Sequence, residues 1–162
     1  MTALSPGMKA PALRLTSLDG QSYTLADTLR AKTVVLLAFF KVSCPVCQFT
    51  FPYLERLHRS YPDLAIWGIC QDDADAATGF VRMFGVTFPV LLDQGWEASV
   101  NYELTNVPSI FLVGHDSTIN RTTVGFVKSE LEALNEELSE FAGLDKKALF
   151  TAADEVPELK PG

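Results

Sequence analysis

Positive charge is scarce in this chain. Its 13 lysines and arginines face 20 aspartates and glutamates, a formal net charge of −7 at pH 7. Phosphate backbones are gripped by clustered Lys and Arg, so nucleic acid is not an expected partner. Neither G-x-x-x-x-G-K-[ST] nor G-x-G-x-x-G occurs, which leaves nucleotide binding without a motif. No apolar run approaches the roughly 20 residues of a membrane-spanning helix, so no membrane partner is expected. The opening residues, MTALSPGMKAP, lack a basic stretch followed by an apolar one, and a cytoplasmic protein is the expectation. An exported protein in trimmed form would read the same. Three cysteines are too few for a disulfide scaffold.

What is present is a normal globular balance, with 48% hydrophobic residues in 162, a length that suits one core. The pattern along the chain alternates between periods. Residues 12–18 alternate as a strand, Asp19-Gly20 turns, and 22–25 returns as its hairpin partner. A helical turn is expected over 27–30. TVVLLAFF, 33–40, is apolar on both faces and suits a central strand. From Pro45 to about Ser60, Cys47, Phe51, Leu54, Leu57 and Tyr61 recur at helical spacing, with a kink expected at Pro52. Strand 64–70 and a helix to about Phe84, capped by Asp73, follow. A short strand over 88–92, a short helix over 96–102 and a hairpin of 109–113 with 119–124 complete the sheet. The last helix carries an S-x-x-E capping box at Ser129 and Glu132, an apolar stripe of Leu131, Leu134, Leu138 and Phe141, and a stop at Gly143. The boundaries expected are one α/β domain over 1–143 and a loosely packed or draped tail over 144–162.

The chemistry-bearing stretch is FFKVSCPVCQFTFP, 39–52. Pro45 suits a first helical position, where its missing N–H is not needed. Cys44 then caps the helix, facing the free amides of Val46 and Cys47 and the positive end of the helix dipole, which favours its thiolate. Cys47 lies one turn in, less exposed but close enough to resolve a mixed disulfide. Cys44 is therefore expected to attack and Cys47 to resolve, tuned by Pro45, Val46 and Lys41. A metal site would need two further ligands, and Cys70, His58, His115 and the carboxylates supply no second pair, so no metal is expected.

Three segments carry a family resemblance: PGMKAPALRLTSLDGQSYTLADTL, VVLLAFFKVSCPVCQFTFPYLERL and NVPSIFLV. Over about 6–141 the chain resembles the thioredoxin-like redoxins, nearest the bacterial thiol–disulfide reductases related to alkyl hydroperoxide reductase and thiol-specific antioxidant proteins. The resemblance implies a three-layer α/β sandwich with a mixed central sheet, an N-terminal hairpin extension and an insertion after the second core strand, at about 71–104. It implies that Cys44 and Cys47 are the redox pair, and that Val107 and a cis Pro108 face them and bind substrate. It implies no cofactor, a disulfide-containing protein or small molecule as substrate, and a thiol carrier as electron donor. The alternatives are a peroxiredoxin-like thiol peroxidase and a non-enzymatic binding module. The peroxidase motif P-x-x-x-[ST]-x-x-C is absent, because Leu37 and Lys41 stand where Cys44 would need Pro and Ser or Thr.

The chain also departs from its relatives. Ala38 replaces the buried Asp of thioredoxins, Thr50 replaces the Glu of many exported reductases, and Ser43 replaces the usual Trp. Cys47 thus lacks an evident proton acceptor, with Asp72 and Glu97 as outside candidates. Cys70 reads as a small buried hydrophobe at the end of a strand. His58 reads as solvated and His115 as structural. Phe40, Phe88 and Trp96 are candidates for an apolar rim around the cysteines.

Overall fold

The computed structural model describes residues 3–162. Its centre is β3 (Val34–Phe40), whose seven residues are all buried because both faces of the strand are covered. Val34, Leu36, Ala38 and Phe40 join one apolar cluster, while Val35, Leu37 and Phe39 join another. The period of two thus feeds two cores from one strand.

Seven strands lie side by side in the order β2–β1–β5–β4–β3–β6–β7. They are β1 (Arg14–Ser17), β2 (Ser22–Thr24), β4 (Ala65–Cys70), β5 (Val90–Leu92), β6 (Ser109–Gly114) and β7 (Ile119–Val124), with β3 at the middle. β3 runs parallel to β4 and antiparallel to β6, so the sheet is mixed. The N-terminal hairpin extends it by pairing β1 against β5. The insertion consists of α3 (Ala74–Phe84), β5 and α4 (Glu97–Asn101). α1 (Leu25–Ala31) and α4 cover one face of the sheet. α2 (Pro45–Ser60), α3 and α5 (Lys128–Ala142) cover the other. This is a thioredoxin-like α/β architecture.

Local signals explain most boundaries. The Asp73 side chain accepts the Ala76 N–H at 2.9 Å and starts α3. Gly85 and Gly143 close α3 and α5 in the left-handed region, at φ 67° each, where a side chain would be strained. Gly68 leaves room for packed rings: a Cβ there would stand 3.2 Å from Phe40 and 3.3 Å from Phe51. α2 runs through Pro52 without a break.

Several expectations fail. The Ser129–Glu132 capping box does not form, since α5 begins at Lys128 and Val127 occupies the cap with no side-chain bond. The Lys128 N–H instead donates to the Glu158 carbonyl at 2.9 Å, so a distant segment supplies the acceptor. Phe141 lies at the exposed edge of α5 rather than in its stripe. His58 is half-buried with its ring 6.0 Å from that of Phe88, and its buried Nδ1 has no hydrogen-bond partner among the described residues.

Residues 144–162 are draped over the α2–α5 face. Leu149 is buried in the core, and Phe150 stacks with Tyr53 and Phe126. The Lys147 N–H donates to the Tyr61 hydroxyl, which donates to Asn135 Oδ1 at 2.7 Å. Arg56 grips the Leu149 carbonyl and the Asp154 carboxylate. After a 3-10 turn (Ala152–Asp154), β9 (Leu159–Lys160) pairs antiparallel with β8 (Phe126–Val127).

Candidate active site

The parallel register of β3 and β4, Phe40 beside Cys70, brings both strands to the same edge of the sheet. The loop of Lys41, Val42 and Ser43 crosses that edge and delivers the chain to α2. Asp72, two residues beyond Cys70, anchors the loop by accepting the Val42 N–H at 2.8 Å. Gln48 Nε2 holds the Val42 carbonyl from the other side at 2.9 Å.

Cys44 is the N-cap of α2 and Pro45 its first residue, as the spacing predicts. Cys44 Sγ is half-buried and accepts the Cys47 N–H at 3.2 Å. That amide is one of the donors a helix leaves unpaired at its start. The Cys44 thiol also reaches the Val107 carbonyl oxygen, 3.5 Å away. The Val107–Pro108 bond is cis. Pro108 itself is buried, and its carbonyl accepts the Gly125 N–H at 2.8 Å. Val107, half-buried, presents main chain to the dithiol.

Cys47 is 0% exposed. Burial pushes its thiol well above the ordinary range, and the hydrogen bond and charge of Cys44 push the same way. The Lys41 backbone amide opposes this shift, whereas the Lys41 side chain lies exposed to solvent. Lys41 thus meets the dithiol through its main chain; its carbonyl also accepts the Cys44 N–H at 3.1 Å. Ala38 and Thr50 are both fully buried, and the Thr50 hydroxyl is committed to the Val46 carbonyl at 2.7 Å.

Cys70 lies at the same edge, fully buried as expected. Burial pushes its thiol up to about 12, with the Asp72 carboxylate adding to the shift. Phe40 and Phe88 belong to the core rather than to a rim, because they pack against Phe51. Trp96 is half-exposed and lines a cavity of about 240 Å³ together with Val107, Leu104 and Val100. Glu97 lies elsewhere, lining a cavity with Leu13 and Arg14. The anchoring role of Asp72 was readable only through strand register, which composition and spacing do not supply.

A low-lying half-exposed sulfur with an amide aimed at it, and a second sulfur buried one turn behind, can exchange disulfides. The AhpC/TSA family profile matches residues 6–122. The thiol-disulfide oxidoreductase ResA of Bacillus thuringiensis is 31% identical over 130 residues, covering 78% of this chain and 74% of that protein. A Bacteroides thetaiotaomicron structure, provisionally named a protein disulfide isomerase, is 27% identical with a TM-score of 0.78, covering 88% and 95%. A secreted Mycobacterium tuberculosis disulfide oxidoreductase homologous to E. coli DsbE superposes with a TM-score of 0.63 at 23% identity, covering 75% and 92%. The cytoplasmic placement expected from the opening residues does not stand, since a protein of this fold that resembles the chain is itself secreted. Among the described residues no helix is long and apolar enough to cross a membrane. The matched profile, the relatives and the paired cysteines agree: this thiol–disulfide oxidoreductase belongs to the AhpC/TSA family.

Proposed function

We propose that Cys44 is the attacking thiolate and Cys47 the resolving thiol in the reduction of disulfides carried by polypeptides. The observation that carries this reading is the asymmetry of the pair: Cys44 Sγ is half-buried beside the Val107 carbonyl, and Cys47 is fully buried behind it. Cys44 attacks one sulfur of the substrate, forming a Cys44–substrate disulfide and expelling the other substrate sulfur as a thiolate. The deprotonated Cys47 then attacks Cys44, forming the Cys44–Cys47 disulfide and releasing the second substrate thiolate. Two electrons pass to the substrate, and an external thiol carrier restores the dithiol. In the first step the Cys47 N–H stabilises the Cys44 thiolate before it attacks. Val107 and Pro108 are the substrate-facing residues, because their loop is the one in reach of that sulfur. Pro45 and Val46 shape the first turn of the helix, and the Lys41 main chain borders Cys47.

Trapping tests the assignment. Cys47→Ser should accumulate a mixed disulfide through Cys44, visible on a non-reducing gel, and Cys44→Ser should not. The reverse pattern would overturn the roles.

A further inference from the structure

The edge beside the attacking sulfur is already filled. Gly125 stands next to the Val107–Pro108 loop, tied to it by its N–H bond to the Pro108 carbonyl. From there β8 offers its edge to β9, with Phe126 opposite Lys160 and Val127 opposite Leu159. The chain then crosses Gly125 so closely that a Cβ there would meet the Lys160 carbonyl oxygen at 2.8 Å and the Gly162 nitrogen at 3.0 Å. Gly125 also holds φ +75°, a second reason why no side chain suits it. Gly162 comes to rest on the Val107 carbonyl: a Cβ on Gly162 would collide with that oxygen. Asn106 Nδ2 secures it by donating to the Gly162 oxygen at 3.0 Å. This Val107 oxygen is the same atom that faces Cys44 Sγ.

The strap is held unevenly. Its root is fastened by buried Leu149, by Phe150 between Tyr53 and Phe126, and by the Arg56–Asp154 pair. Its end has a two-residue ladder, Leu159 more than half exposed, and Lys160 Nζ 4.8 Å from the centre of the Phe49 ring. A segment so lightly paired can lift without unfolding the domain.

We infer that residues 158–162 are an internal occupant of a strand-accepting edge formed by Asn106, Val107, Gly125 and Phe126, and that a disulfide-bearing polypeptide must displace them to lie beside Cys44. The inference rests on the reading of Cys44 as the attacking sulfur. An extended polypeptide adds itself to such an edge by main-chain hydrogen bonds. The tail makes such bonds to β8 and covers the Val107 carbonyl, so the two compete for one edge. A small disulfide needs only the sulfur and not the edge. While the strap is seated, the apparent affinity for a polypeptide is reduced by the fraction of molecules with the edge free.

The experiment compares three proteins: the full chain, a version lacking residues 158–162, and Gly162→Ala in the full chain. Each is assayed for reduction of a synthetic peptide with one internal disulfide and of 2-hydroxyethyl disulfide. The deletion should lower KM for the peptide by about threefold or more and leave the rate with 2-hydroxyethyl disulfide unchanged. Gly162→Ala keeps every other residue and adds only the colliding methyl group, so it should shift the peptide KM in the same direction. An unchanged or higher peptide KM in both variants overturns the strap. Equal acceleration of both substrates also overturns it, since the segment would then shield the sulfur rather than occupy a peptide edge. If the full chain and both variants reduce neither substrate, the dithiol reading fails first and the strap with it.

Discussion

Loading Cys44 with 5-thio-2-nitrobenzoate as a mixed disulfide isolates the second half of the reaction, the attack by Cys47. In that adduct Cys44 no longer carries a thiol, so its hydrogen bond and charge stop acting on Cys47. The largest cause of the upward shift, burial, remains, because Cys47 is 0% exposed and belongs to the apolar cluster that holds Ala38, Phe40 and Phe51. No carboxylate occupies position 38 or 50 to take the proton. The Cys47 thiol should therefore titrate above the ordinary value of about 8.5. Below that value the thiolate fraction rises tenfold per pH unit, so release of the yellow thiolate should accelerate about 100-fold between pH 6 and pH 8. Stopped-flow absorbance reads this directly. A plateau within that range would refute the reasoning, for it would mean that a neighbouring base takes the proton. Asp72→Asn would then identify whether the carboxylate behind the loop is that base.

Three further outcomes follow from the same geometry. Thr50→Glu places a carboxylate in the first turns of α2, beside the dithiol; it should flatten the pH profile of release and raise the rate at pH 7, and an unaltered slope would show that the acid cannot reach Cys47. Leu149→Ala should lower stability in urea titration by about 2–5 kcal/mol, because this tail residue is only 4% exposed; a change under about 0.5 kcal/mol, typical of a surface site, would mean the tail adds nothing to the core. The reduced protein should also lose stability in alkali. Burial raises the folded pKa of Cys47 and Cys70, so their contribution is complete below the unfolded thiol value of about 8.5 and is lost progressively as pH rises through the folded values. Thermal melts should fall from pH 8 to pH 9.5, and less so in Cys70→Ala; a flat melting temperature would contradict the shift.

The sequence was a good guide wherever the deciding interaction is local. Pro45 after Cys44 marks a helix start by its missing N–H and its preset φ, Asp73 marks the start of α3 by side-chain capping, and Gly143 marks the end of α5 by left-handed backbone. The unbroken apolar run at 33–40 marks a strand covered on both faces, and the peroxidase motif could be tested by counting positions. It was a poor guide wherever a distant segment competes. Ser129 and Glu132 have the spacing of a capping box, yet the carbonyl of Glu158 takes the place at the start of α5. Lys41 looked like a charge beside the thiols, but its ammonium finds better solvation outside and only its main chain meets them. Phe40 and Phe88 could have lined a rim or a core, and packing against the Phe51 ring of α2 placed both inside. By itself the sequence determined the dithiol, its helix and the layered α/β pattern, because those depend on residues within one or two turns of each other. Only the tertiary structure decided that Asp72 anchors the dithiol loop and that residues 158–162 lie on Val107, because both follow from strand register and from contacts across 30 or more positions.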